Sequence, residues 1–105
     1  MRFIETANFT KAVGELLSDE EYRSLQLALL LRPEQGAIIQ GGSGLRKIRW
    51  TQKGRGKRGG VRVIYYWYRD DGVLFMLYAY SKSDQGDLTS AQLRALARLV
   101  REEFK

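Results

Sequence analysis

Lys47, Arg49 and Arg62 fall in two segments that read as β-strands, and the sequence between them, T-Q-K-G-R-G-K-R-G-G, intersperses Lys53, Arg55, Lys57 and Arg58 with glycine. The whole run from 45 to 68 contains no acidic residue. Cations held on a sheet can define a site for a polyanion, and a glycine-rich loop can close over it. Such a site suits cleavage of RNA by its own 2′-hydroxyl, because Arg and Lys stabilise the negative charge that builds on the phosphorane. A lysine crowded by other cations gives up a proton more readily, so Lys47, beside Arg46 and two residues from Arg49, is the candidate general base. The bland alternative is a solvated surface that binds phosphate without selectivity. Placement of three of the cations inside strands favours the defined site.

Charge is concentrated in this part of the chain. The 105 residues carry 18 Lys and Arg against 12 Asp and Glu. Nine of the cations and none of the acids lie between positions 35 and 69, so the remainder is net −3. RNA, DNA or an acidic protein is the expected partner. The chain has no cysteine and no histidine, which excludes disulfides and thiolate or imidazole metal sites. Proton transfer must therefore use Lys, Arg, Tyr or carboxylates. No apolar run is long enough for a signal peptide or a bilayer span, and the expectation is a cytoplasmic protein without a membrane partner.

The elements that must position these cations follow from periodicity. Residues 2–5 form a short strand, and residues 8–17 place Phe9, Ala12, Val13, Leu16 and Leu17 at helical spacing behind Asn8 as N-cap. Ser18 to Glu21 matches a capping box opening a second helix, whose stripe is Tyr22, Leu25, Leu29, Leu30 and Leu31 before Pro33 stops it. Residues 36–44 read as a glycine-rich connection around Ile38 and Ile39. In the strand at 45–50, Leu45, Lys47 and Arg49 share one side, with Arg46, Ile48 and Trp50 on the other.

The strand at 61–68 sets Val61, Val63, Tyr65 and Trp67 against Arg62, Ile64, Tyr66 and Tyr68, and its β-branched and aromatic content makes it central. Its aromatics are more readily core residues than base-stacking platforms. Asp71-Gly72 predicts a tight turn into an apolar strand at 73–80. Thr89 and Gln92 repeat the capping box before a last helix with Leu93, Leu96, Ala97, Val100 and Phe104 on one side. The expected fold is α+β: one domain over 1–105, with a small antiparallel sheet and helices packed on one face, in the order β-α-α-β-β-β-α.

The segments L-R-K-I-R, G-R-G-K-R-G-G-V-R-V-I-Y-Y and L-Y-A-Y-S-K-S-D, together with S-D-E-E-Y and I-I-Q-G, resemble the RelE/ParE toxin superfamily. The closer likeness is to the HigB-like branch of type II toxin–antitoxin systems. That resemblance implies a RelE-like fold and a ribosome-dependent mRNA endonuclease that cuts in the A site without metal or cofactor, using the RNA 2′-hydroxyl as nucleophile. It also implies a cognate antitoxin and contacts with mRNA and 16S rRNA. Lys47 and Arg49 match the family's paired basic residues, Arg62 its phosphate-stabilising arginine, and Lys82 lies near a further basic position. Arg46, Lys53, Arg55, Lys57 and Arg58 fall to RNA and ribosome binding. Ser83 stands where the family suggests an arginine and Thr89 near its tyrosine, which leaves the acid and stacking roles unassigned, with Lys82, Lys53 or Lys57 as candidate substitutes. Two other functions share the features: a gyrase poison of the ParE kind, and a basic RNA-binding module.

Overall fold

The computed structural model describes residues 1–51 and 60–104. Its elements are β1 (Arg2–Glu5), α1 (Ala7–Leu16), α2 (Asp19–Leu31), β2 (Ala37–Ile38), β3 (Arg46–Trp50), β4 (Val61–Tyr68), β5 (Val73–Ser81) and α3 (Ser90–Phe104). The strands form one sheet in the order β1-β5-β4-β3-β2. The α+β class is as expected. The sheet is mixed rather than wholly antiparallel, because β1 runs parallel to β5, with Arg2 N–H bonded to the Gly72 carbonyl and Thr6 N–H to that of Met76.

β4 lies at the centre because its residues are apolar on both faces, and each face needs a cover. On one face Val61, Val63 and Tyr65 join Leu74 and Met76 of β5 and meet Phe9, Val13, Leu25 and Leu29 of α1 and α2. On the other, Ile64, Val73 and Phe75 meet Leu96, Ala97 and Val100 of α3. The single-face arrangement expected from sequence is thus corrected: α3 closes the side opposite the helical pair. Phe104, at its end, packs on Tyr66, Tyr68 and Phe75 with ring centroids 5.4, 4.9 and 5.3 Å away, so these tyrosines are half-buried against the α3 core.

Local signals explain most boundaries. The Ser18–Glu21 capping box is formed, as is that of Thr89 and Gln92, each side chain accepting from the other's backbone N–H. Gly72 has φ of 63°, the left-handed conformation expected of the turn between β4 and β5. The N-cap of α1 is Thr6 rather than Asn8: its hydroxyl accepts from Phe9 N–H at 3.0 Å and donates to the Leu77 carbonyl at 2.9 Å. In α2, Leu25 and Leu29 are buried, whereas Leu30 and Leu31 turn outward, Leu31 being 82% exposed. Residues 36–44 contribute a short edge strand, β2, paired with β3.

Two polar side chains clamp β3 and β4 to the helical layer. The buried Tyr65 hydroxyl donates to the Pro33 carbonyl at 2.7 Å and accepts from Gly36 N–H at 2.9 Å. The Trp50 indole N–H donates to the Glu21 carbonyl at 3.2 Å. The strands that carry the basic residues are therefore fixed in height against α2.

Candidate nucleic-acid interface

Register brings the strand cations together. β3 and β4 pair antiparallel with Arg49 opposite Arg62 and Lys47 opposite Ile64, and residues directly opposite in such a pair point to the same face. Lys47, Arg49 and Arg62 therefore share the face that α3 covers further along the sheet, where Ile64 belongs to the α3 core. Arg62 is only 7% exposed, while Arg49 is exposed at the rim. Like charges placed opposite one another disfavour the fold slightly. An anion bound between them would reverse that penalty.

β5 completes this face through an irregularity in its register. Ile64 pairs with Tyr78 but Tyr65 with Met76, so Leu77 is the extra residue of a β-bulge. The bulge shifts the alternation by one residue. Tyr78 and Tyr80 consequently point to the same face as Arg62, while Met76 and Leu74 serve the core under α1 and α2. Tyr80 lies directly opposite Arg62. Burial, and then the neighbouring Asp87 carboxylate, push the Tyr80 hydroxyl above the ordinary tyrosine range, so it stays protonated as a donor.

The segment 82–89 folds back over the edge of this face. Asp87 Oδ1 lies 3.3 Å from Lys47 Nζ and 3.5 Å from the Tyr80 hydroxyl, and it accepts the Leu88 N–H at 2.8 Å. The Leu88 N–H foremost, and then Lys47, hold the Asp87 carboxyl below the usual carboxylate range. A triangle of side chains steadies the segment: the Tyr78 hydroxyl donates to Gln85 at 3.2 Å, Gln92 donates to Tyr78 at 3.2 Å, and Gln85 donates to Gln92 at 2.9 Å. Lys82 starts the segment, its backbone N–H bonded to the Gly60 carbonyl and its ammonium to that of Gly86. Its charge is felt at Asp87.

Of the residues expected from sequence, Lys47, Arg49 and Arg62 thus converge, and Lys82 lies on the segment that borders them. Arg46 does not join them. It pairs with Tyr65 on the other face and donates to the carbonyls of Glu34 at 2.7 Å and Gly36 at 2.9 Å, bracing the chain before β2. Lys53, Arg55, Lys57 and Arg58 lie outside the described residues. Tyr80 and Asp87 were missed. Alternation of Tyr78 and Tyr80 at the end of β5 was the available signal for the first; Asp87 could be read from sequence only as a carboxylate able to pair with Arg62, and the structure pairs it with Lys47.

A groove of about 380 Å³ beside Arg49 is walled by Glu20 and Glu21 of α2, which makes it a poor home for phosphate. Among the described residues no group of acidic side chains is placed to hold a metal ion, and no helix is long and apolar enough to cross a membrane.

Comparison with known proteins places this architecture. The family model described as the RelE toxin of the RelE/RelB toxin–antitoxin system matches residues 1–105. Among solved structures, a double mutant of the E. coli toxin RelE in the free state is similar with TM-score 0.60 and 15% identity, covering 97% of this chain and 96% of that one. The intact E. coli RelBE toxin–antitoxin complex contains a chain similar with TM-score 0.58 and 17% identity, over 75% of this chain and 93% of its own. The isolated E. coli RelE toxin gives TM-score 0.58 and 16% identity, over 92% and 96%. At these identities the structural likeness is one of fold.

Proposed function

The chain belongs to the RelE toxin family, and on that premise we propose that it is the toxin of a type II toxin–antitoxin pair, a ribosome-dependent endoribonuclease that cuts translated mRNA in the A site. The observation that carries this reading is the convergence of Lys47, Arg49 and Arg62 on one sheet face. Positive charge held in advance where a pentavalent phosphorus gains negative charge lowers the barrier without reorganisation during the reaction. Arg62, which lies opposite both Arg49 and Tyr80 in the ladder and is the most buried of the three, takes the non-bridging oxygens. Its planar fork suits that task better than an ammonium. Lys47 and Arg49 bind the phosphate, and Lys82 serves as acid toward the leaving 5′-oxygen.

The nucleophile is the RNA's own 2′-hydroxyl, and the reaction needs no metal. The ribosome presents the mRNA to the site and contributes 16S rRNA phosphates for the remaining basic residues of the chain. A cognate antitoxin is the protein partner. An acidic or amphipathic segment laid on the basic face would complement it in charge.

Mapping mRNA 5′ ends after induction in cells, with the wild type and Arg62→Ala side by side, tests the assignment. New ends within translated codons that vanish in the variant are expected. Growth arrest with intact mRNA and damaged DNA would point to gyrase poisoning. Unimpaired growth would leave only an RNA-binding module.

A further inference from the structure

We propose that Asp87 is the general base of the cleavage, accepting the proton of the 2′-hydroxyl through Oδ2. This inference rests on the nuclease reading of the same site and identifies the group that moves the proton.

The described residues around the cations offer few bases. Lys47 is engaged as a donor to Asp87, Arg49 and Arg62 are guanidiniums, and Lys82 donates to the Gly86 carbonyl. Tyr80 is held in its protonated form by burial. Asp87 is the carboxylate bonded to Lys47, across 40 residues of sequence, whereas Glu20 and Glu21 lie in the groove beside Arg49.

Its geometry suits a base as well as its charge does. Three donors, the Leu88 N–H, the Lys47 ammonium and the Tyr80 hydroxyl, all converge on Oδ1. They fix the direction of the carboxylate while Oδ2 accepts no hydrogen bond among the described residues. The Asp87 side chain is 70% exposed, so a sugar next to a phosphate bound at Lys47 can reach that oxygen. A carboxylate held by a neighbouring ammonium is a weak base at rest. Arrival of a phosphate changes this: it draws Lys47 toward itself and places a second negative charge near Asp87, and both effects strengthen proton affinity. The ion pair that must loosen is solvent-exposed and costs little to rearrange.

In the step, the 2′-oxygen forms a bond to phosphorus as its proton passes to Oδ2. The bond from phosphorus to the 5′-oxygen then breaks, and that oxygen leaves with a proton from the Lys82 ammonium. The products are a 2′,3′-cyclic phosphate and a 5′-hydroxyl end. Asp87 returns its proton to water, and Lys82 takes one back.

The test uses the purified chain and ribosomes programmed with a defined mRNA, under single-turnover conditions with the toxin varied to saturation. Asp87→Asn keeps an Oδ1 acceptor for the Leu88 N–H and for Tyr80 but cannot take a proton. Its maximal rate should fall about 10²-fold or more, with the half-saturating concentration unchanged or lower and the melting temperature unchanged. Asp87→Glu should recover part of the rate. A variant Asp87→Asn that cuts as fast as the wild type would overturn the proposal and leave Asp87 as a mere competitor of phosphate. A loss seen wholly in half-saturation would also overturn it, making Asp87 a positioning residue. If the wild type itself makes no cuts on programmed ribosomes, the nuclease reading fails, and the role of Asp87 with it.

Discussion

Arg49 of β3 and Arg62 of β4 are direct cross-strand partners, two guanidinium side chains on one face of the sheet with no residue between them in the ladder. An opposite-charge or apolar pair at such a position would favour the sheet, and a like-charge pair opposes it. Replacing the exposed member, Arg49→Gln, should therefore raise stability by about 0.2–1 kcal/mol, read as an increase in the urea midpoint, while weakening mRNA cleavage. A variant that is both less stable and fully active would contradict the anion-site assignment.

Removing the Arg62 guanidinium, proposed to hold the phosphate, should cost more in rate than in stability. Arg62→Ala is expected to lower single-turnover cleavage by about 10²–10³-fold, the range for deleting one preorganised donor to a developing oxyanion. Arg62→Lys should restore charge but only part of the rate, because an ammonium lacks the planar fork. Combined loss of Lys47, Arg49 and Arg62 should fall short of the product of the single effects, since the three act on one charge. Full toxicity in all three single alanine variants would remove the site from consideration.

Tyr65 offers a stability prediction that leaves the chemistry untouched. Its hydroxyl is the buried partner of both the Pro33 carbonyl and the Gly36 N–H. Tyr65→Phe orphans both groups and should cost about 1–3 kcal/mol, a fall in melting temperature of roughly 4–8 °C for each kcal/mol in a domain of this size. Cleavage per folded molecule should be unchanged. A thermal melt and an activity titration at low temperature separate the two.

Alkaline sensitivity should trace in part to Tyr22. Burial, reinforced by its hydrogen bond to Glu5 and the charge of that carboxylate, pushes its hydroxyl far above the ordinary value of 10.0. The folded state thus favours the neutral phenol. The stabilisation is fully present below pH 10, where the unfolded chain's tyrosine is also neutral, and is lost progressively as pH rises beyond it. Melting temperature should drop above about pH 10. Tyr22→Phe should start lower at neutral pH and decline less steeply; parallel curves would assign the effect to other groups.

Gly60 controls where β4 begins. Its φ is 57°, and an added Cβ would lie 2.7 Å from the Trp50 carbonyl oxygen. Gly60→Ala should cost at least the ~1–2 kcal/mol of a left-handed non-glycine residue, with the backbone clash added. Because its carbonyl also receives the Lys82 N–H, the variant should lose cleavage beyond what its unfolded fraction explains. Measurement of rate against folded fraction by circular dichroism distinguishes the two losses.

The sequence by itself determined the helices and every strand except the short edge strand β2, and the side each cation occupies within its own strand. Period-two alternation put Lys47 with Arg49, and Arg62 with Ile64; the two capping boxes and the Asp-Gly turn marked boundaries that the structure retains. Those features depend on residues a few positions apart, and local sterics and hydrogen bonding settle them. Tertiary structure decided what lies farther apart in sequence. The β3–β4 register set Arg49 against Arg62, and the bulge at Leu77 turned Tyr78 and Tyr80 toward them. Covering the second apolar face of β4 drew α3 to the opposite side from α1 and α2. Asp87 reaches Lys47 only because the chain folds back after β5. A carboxylate and an ammonium 40 residues apart leave no periodic trace, since nothing but their meeting in space relates them.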